Sequence, residues 1–352
     1  MGSWIVTDNR ELVCVGSYTA ITGGRGVGIS TFWRDPDSGE LTALGELTLD
    51  SPSWLAWHPT VPVLYAANET PEGAVTAVAL GAEGELTALN SLPTGGADPC
   101  HLAVTPDGRF LVCANYTGGS LAVFSLAPDG RLVDRTDLVS HHGSGPVAGR
   151  QESAHVHMVV PGTDGLISAV DLGTDEIRSY QLSAAGTLAL LAVSGLRPGT
   201  GPRQLVRRPG SSFAYVVGEL AGSLITVREE PAGTFTVVDS TTATTPDNSV
   251  NENLAAHLEL TADGGLLLSN RGPDCLTYFS LADDRPVPVV DLPSGVGPRQ
   301  FALSGGQCYV AAQHEDSVVV RSVPTDGFEA SVEVGRTAVG SPTCVVVAPD
   351  YR

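Results

Sequence analysis

The feature that most constrains this chain is an internal repeat. A short anchor opens on a small residue or Pro, runs through an apolar stretch and closes on Pro or Asp-Gly. It occurs as SPSWLAWHP (51–59), DPCHLAVTPDG (98–108), HVHMVVPGTDG (155–165), GPRQLVRRPG (201–210), LAAHLELTADG (254–264), GPRQFALSGG (297–306) and SPTCVVVAPD (341–350). The third positions are Ser53, Cys100, His157, Arg203, Ala256, Arg299 and Thr343, separated by 47, 57, 46, 53, 43 and 44 residues. A period of about 40–50 residues is that of propeller blades, small sheets that bury their faces only against one another.

A second segment, rich in Ala and β-branched residues, accompanies each anchor and ends on a polar group. The copies include LVCVGSYT (12–19), VLYAANET (63–70), FLVCANYT (110–117), LISAVDLG (166–173), FAYVVGEL (213–220), LLLSNRG (266–272) and CYVAAQHE (308–315). A third strand ends in Asp-Gly, Glu-Gly or Ala-Gly turns, where Gly supplies positive φ. A weaker fourth strand follows. These patterns predict an all-β fold, a seven-bladed β-propeller with four antiparallel strands per blade. The last anchor lacks following strands, and the N-terminal strands lack an anchor. Both termini are therefore expected to build one blade, closing the ring and hiding its sheet edges. A length prior of about 150 residues per domain would divide the chain in two. The repeat instead makes residues 1–352 one domain.

In such a blade the start of the first strand and the end of the second meet at one mouth of the central channel. The strand-end positions are Tyr18, Glu69, Tyr116, Leu172, Glu219, Arg271 and Gln313. Composition gives these positions their meaning. All 19 basic residues are Arg, against 39 acidic residues and a net charge of -20. Arg203, Arg271 and Arg299 nevertheless fall on the two rings, forming a candidate anion cradle, since guanidinium grips carboxylate or phosphate bidentately. Glu219 stands among them as a candidate acid or base. His155, His157 and Glu152 bring imidazole and carboxylate to the same mouth, and imidazole titrates near neutral pH. Glu69 and His257 complete the substrate-binding candidates.

Each of these residues also has a plain structural reading. The GPR arginines fit a turn that satisfies carbonyls between blades. His155 and His157 fit blade-to-blade hydrogen bonds. His101 and His257, one position further along, fit the blade core. His141 and His142 lie in the Gly-rich stretch HHGSGPVAGR and read as solvated. Asp171 aligns with Asn68, Asn115 and Asn270 as a strand-end cap.

The absence of Lys excludes Schiff-base and pyridoxal-phosphate chemistry and a P-loop. The negative charge argues against nucleic-acid and anionic-membrane partners. GGRGVG (23–28) lacks the strand-then-helix setting of a nucleotide fingerprint. No G-x-S-x-G elbow, HExxH or EF-hand loop occurs, and the six Cys form no CxxC pair. No secretory signal and no apolar run of membrane-spanning length is found. The expectation is a cytoplasmic protein, monomer or weak homodimer, without metal or cofactor, acting on a small anionic metabolite.

RQESAHVH, DLGTDEIRSYQL, GPRQL, VVGEL, SNRG and GPRQF, in this order, resemble the seven-bladed lactonase family along essentially the whole chain. That family includes propeller-type 6-phosphogluconolactonases and fungal 3-carboxy-cis,cis-muconate cycloisomerases. The resemblance implies a metal-independent enzyme acting at a lactone. By motif it carries catalytic roles onto His155, Arg203, Glu219 and Arg271. Three departures stand out: Val156 replaces a usual Pro, His257 stands where an acidic residue is common, and a channel Lys is absent. Hydrolysis of a sugar lactone is the leading expectation, with Glu219 or His155 as the base. Cycloisomerase or lyase action and metabolite or protein binding without turnover are the alternatives.

Overall fold

The computed structural model describes residues 11–248, 252–324 and 327–351. Seven four-stranded antiparallel sheets follow one another around a ring. From blade 1 to blade 6 the innermost strands are Pro52–Trp57, Pro99–Val104, Val156–Pro161, Pro202–Arg207, Leu254–Leu260 and Pro298–Ser304. The adjoining second strands are Val63–Asn68, Phe110–Asn115, Leu166–Asp171, Phe213–Gly218, Leu266–Arg271 and Gln307–Ala312. Blade 7 takes its innermost strand, Pro342–Val347, from the C-terminal side. Its other strands, Glu11–Ser17, Gly28–Arg34 and Leu41–Thr48, come from the N-terminal side. The ring closes as the repeat predicts.

The core lies between blades. Side chains on a strand point alternately to the two faces of its sheet. In blade 1, Val63, Tyr65 and Ala67 pack towards blade 2, while Leu64 and Ala66 pack towards blade 7. Both faces of a blade are thus buried, which is why the second strands read as unbroken apolar runs. Seven apolar clusters occupy the seven blade interfaces.

The innermost strands share one device. Where blade 1 pairs Pro52 with Asn68, the next pair is Trp54 with Ala67, so Ser53 is an extra residue. The same slip bypasses Cys100, His157, Arg203 and Arg299, and in blade 7 Thr343. In blade 5 the slip spans Ala256 and His257. A bulge re-aims a side chain and bends its strand. Five of these strands begin with Pro, and each Pro follows a residue of positive φ: Ser51, Asp98, Gly201, Gly297 and Ser341. Gly201 is confined further, because a Cβ there would lie 2.3 Å from Leu220 Cγ. The GPR segment is therefore a turn and a side-chain launcher at once.

Candidate active site at the channel mouth

The backbone brings the two rings together. The amide of Glu219 donates to Gly201 O at 2.9 Å, Glu69 to Ser51 O at 2.9 Å and Tyr18 to Ser341 O at 3.0 Å. Each second-strand end is thus tied to the start of its own innermost strand.

One half of the mouth is built on Glu219, a carboxylate only 2% exposed. Its Oε2 accepts from Arg203 Nη1 at 2.8 Å and lies 3.0 Å from Arg271 Nη2. Its Oε1 accepts from Arg150 Nη2 at 2.5 Å. Burial alone would raise the carboxyl pKa. Arg271, Arg203 and Arg150 outweigh that and hold it well below the ordinary glutamate value. Arg203 also donates Nε to Ala256 O at 3.1 Å and Nη1 to His157 Nε2 at 2.5 Å. His157 must therefore carry its proton on Nδ1. Burial, then the Arg203 charge, keep this imidazole neutral, with a pKa well below the usual histidine value.

Arg271 is less completely paired. Its Nε donates to Leu254 O at 3.0 Å. Its Nη2, though close to Glu219, is not aligned with that oxygen and makes no hydrogen bond among the described residues. Burial lowers the Arg271 pKa to about 10, against the pull of Glu219. It remains a cation at neutral pH.

His155 has a different setting. Its Nδ1 lies 3.1 Å from Tyr116 O, a carbonyl, so this nitrogen is the donor. Its Nε2 is 3.4 Å from Glu152 Oε1, a carboxylate at the rim whose side chain is 61% exposed. The Tyr116 ring stacks on the imidazole at 4.5 Å. Asp171 holds the local chain, accepting from the amides of His155, Gly173 and Thr174 at 2.8, 3.0 and 3.1 Å. The strand-end cap read from the sequence is what this residue is.

Across the mouth, Tyr18 donates its hydroxyl to Glu69 Oε1 at 2.7 Å. Arg299 lies over the Tyr18 ring at 5.0 Å, with Nη2 3.7 Å from Glu69 Oε2. That Oε2 is buried and makes no hydrogen bond among the described residues. Burial acts to lower the Arg299 pKa, but Tyr18 and Glu69 raise it overall.

Just below the ring the channel narrows to a void of about 10 Å³, lined by Cys100, His101, Arg203, Gln204, Arg299 and Gln300 among others. Trp54 helps plug it, its ring 4.3 Å from His101 and 5.9 Å from His257. This constriction is the floor of the recess, or cup, at the mouth.

The structure brings Arg203, Arg271, Glu219 and His157 into one network, with His155 and Glu152 at its rim. Arg299 and Glu69 form a second cluster. Three expectations need correction. His257 does not reach the mouth: its Nδ1 meets Gln204 Nε2 at 3.0 Å and its Nε2 meets Glu259 Oε1 at 2.9 Å. Both nitrogens are already engaged, so as placed it offers no free group to a substrate. The bulge also keeps His101 and His257 on the channel side, not in a blade core. His141 is buried, not solvated. Its Nδ1 meets Asp171 Oδ2 at 2.8 Å and its Nε2 meets Tyr180 Oη at 2.7 Å. Arg150 is the residue sequence reasoning missed. It lies outside the repeat, and the signal was the 57-residue step between Cys100 and His157, the longest in the chain. Among the described residues, no group of three or more His, Cys, Asp or Glu converges to hold a metal.

Comparison with known proteins agrees with this architecture. The model of the family described as "Lactonase, 7-bladed beta-propeller" matches residues 12–347. A 6-phosphogluconolactonase of Bacillus subtilis is 30% identical over 349 residues, 95% of each chain. A putative 6-phosphogluconolactonase of Bacteroides fragilis superposes with a TM-score of 0.89 at 28% identity, covering 98% of this chain and 99% of its own. A periplasmic gluconolactonase of Pseudomonas aeruginosa superposes with a TM-score of 0.90 at 29% identity, covering 97% and 99%. With its closed ring of seven blades and a family match running almost from end to end, this chain belongs to the seven-bladed β-propeller lactonase family.

Proposed function

We propose that the cup hydrolyses a small anionic sugar lactone such as 6-phosphogluconolactone. The observation that carries this reading is Arg271, a buried cation whose Nη2 meets Glu219 Oε2 at 3.0 Å as an ion pair without an aligned hydrogen bond. Such a donor keeps hydrogen-bonding capacity that an oxyanion completes. Arg203, Arg271 and Arg299 face two carboxylates, Glu219 and Glu69, which leaves one positive charge uncompensated.

His155 is the better base of the two candidates. Both Glu219 oxygens are engaged by arginines, and the depressed pKa makes that carboxylate a weak proton acceptor. His155 spends Nδ1 on a carbonyl and keeps the Nε2 lone pair. In the reaction Nε2 takes a proton from water while the water oxygen attacks the lactone carbonyl. The developing oxyanion is held by Arg271. The ring C–O bond then breaks, and the departing oxygen recovers the proton from His155 to become a hydroxyl. Glu152 stabilises the transient imidazolium. Glu219 keeps Arg203 and Arg271 charged and aimed.

The test is proton release from 6-phosphogluconolactone above the spontaneous rate. His155→Gln is expected to lower kcat by roughly 10²–10⁴-fold. Wild-type kcat in that variant would overturn the assignment. The reading places the enzyme on a free metabolite, with no macromolecular partner needed for turnover.

A further inference from the structure

We propose that Arg150 is the residue that selects a dianionic, phosphorylated lactone over its uncharged counterpart, an inference that rests on the hydrolase reading above. Arg150 enters from the segment between Ser140 and Val156, where the repeat is longest, and not from a blade strand. That segment is locked in place. Gln151 is fully buried, its Oε1 accepting from Val147 N at 3.1 Å and its Nε2 donating to Leu172 O at 2.8 Å. The amide of Arg150 itself donates to Val147 O at 3.2 Å. At the start of the segment, the bonds of His141 to Asp171 and Tyr180 fix the chain. A rigid loop thus carries one cation to the rim of the cup.

The three arginines around Glu219 are graded in depth. Their side chains are 8% exposed at Arg203, 16% at Arg271 and 35% at Arg150. A ligand arriving from solvent meets Arg150 first. Guanidinium has five donor hydrogens on three nitrogens. Glu219 engages Nη2, and the Tyr116 hydroxyl lies beside the same group. Glu219 takes only one hydrogen of Nη2, which leaves Arg150 further N–H donors for phosphate oxygens. The inner three arginines leave one positive charge after Glu219 and Glu69 are balanced, matched to the oxyanion formed at the lactone. Arg150 adds a cation at the rim, offset in the net count by the Glu152 carboxylate, so it gives a distal phosphate a hydrogen-bonding partner and not extra net charge. No covalent step involves it. Its role is ground-state recognition, so its loss appears in KM.

The experiment compares 6-phosphogluconolactone with unphosphorylated gluconolactone in the full chain, for wild type, Arg150→Gln and Arg150→Lys. In Arg150→Gln the ratio of kcat/KM for the phosphorylated over the neutral substrate is expected to fall about tenfold or more, mainly through KM, with partial recovery in Arg150→Lys because the charge returns. An equal fall for both substrates, or no fall, overturns the proposal. Calorimetric binding of 6-phosphogluconate and gluconate to the same proteins provides a second readout. A roughly tenfold loss confined to the phosphorylated ligand supports the role of Arg150. Equal affinities in wild type and variant contradict it. Absence of hydrolysis by wild type would overturn the hydrolase reading, while the binding comparison would still decide the role of Arg150.

Discussion

Two layers of the same channel, one residue apart on the innermost strands, treat polar groups in opposite ways. In the lower layer the polar side chains are spent on structure. Gln204 accepts from Leu258 N at 2.9 Å and donates to His257 Nδ1 at 3.0 Å. Gln300 accepts from Val345 N at 2.6 Å, and His101 Nδ1 accepts from Val159 N at 3.5 Å. These bonds join blades 4 and 5, 6 and 7, and 2 and 3. In the upper layer Arg271 Nη2, Glu69 Oε2 and Ser53 Oγ are buried without a hydrogen bond among the described residues. Burial of an unpaired polar group costs stability unless water or a ligand completes it, so these three atoms are the positions in the upper layer where such a partner fits. The lower layer is a stitched floor. In the upper one Arg203 and Glu219 are engaged, and Arg271 Nη2, Glu69 Oε2 and Ser53 Oγ are the open valences.

The comparison breaks if the layers exchange roles under mutation or titration. The largest expected effect on the lower layer is from pH. Burial, then the nearby His257 and Arg203, lower the His101 pKa to about 3. The unfolded chain binds a proton there near pH 6.5. Below that pH the unfolded state holds a proton the native state lacks, so stability falls as pH falls, until about pH 3. The slope contributed is about 1.4 kcal/mol per pH unit. Denaturant unfolding of His101→Gln between pH 7 and 4.5 is expected to show a correspondingly shallower loss. An unchanged slope would remove His101 from the account. His157 titrates in the same sense and accounts for part of the wild-type slope.

A smaller effect sharpens the same contrast. Gln204→Leu leaves the Leu258 amide unpaired, and the expected cost is about 1–3 kcal/mol of stability. The same variant should retain kcat/KM within about fivefold, since the loss lies beneath the site. A collapse of turnover with unchanged stability would place Gln204 in the wrong layer.

The sequence made the ring legible because a propeller repeats one unit seven times. Aligning the anchors and the second strands places Arg203, Arg271, Arg299, Glu219 and His157 at one end of the channel. What alignment could not show was the bulge. Without it, successive residues alternate faces, and His101 and His257 are sent into the blades. The slip at each innermost strand keeps two consecutive positions on the channel. His141 was misread because its partners, Asp171 and Tyr180, lie 30 and 39 residues away and no local pattern announces them. Arg150 escaped because it belongs to the long connection between Ser140 and Val156, where no repeat position assigns a direction to a side chain. Periodicity reveals what is repeated, and part of this site is a departure from the repeat.

The central claim is that the upper layer holds open valences for a reacting anion. Arg271→Ala tests it most directly, with turnover of 6-phosphogluconolactone and thermal unfolding measured on the same preparation. The account predicts a fall in kcat/KM of about 10²-fold or more, with the melting temperature within about 4 °C of wild type. Turnover within about threefold of wild type, or a loss of activity matched by unfolding at the assay temperature, would contradict it.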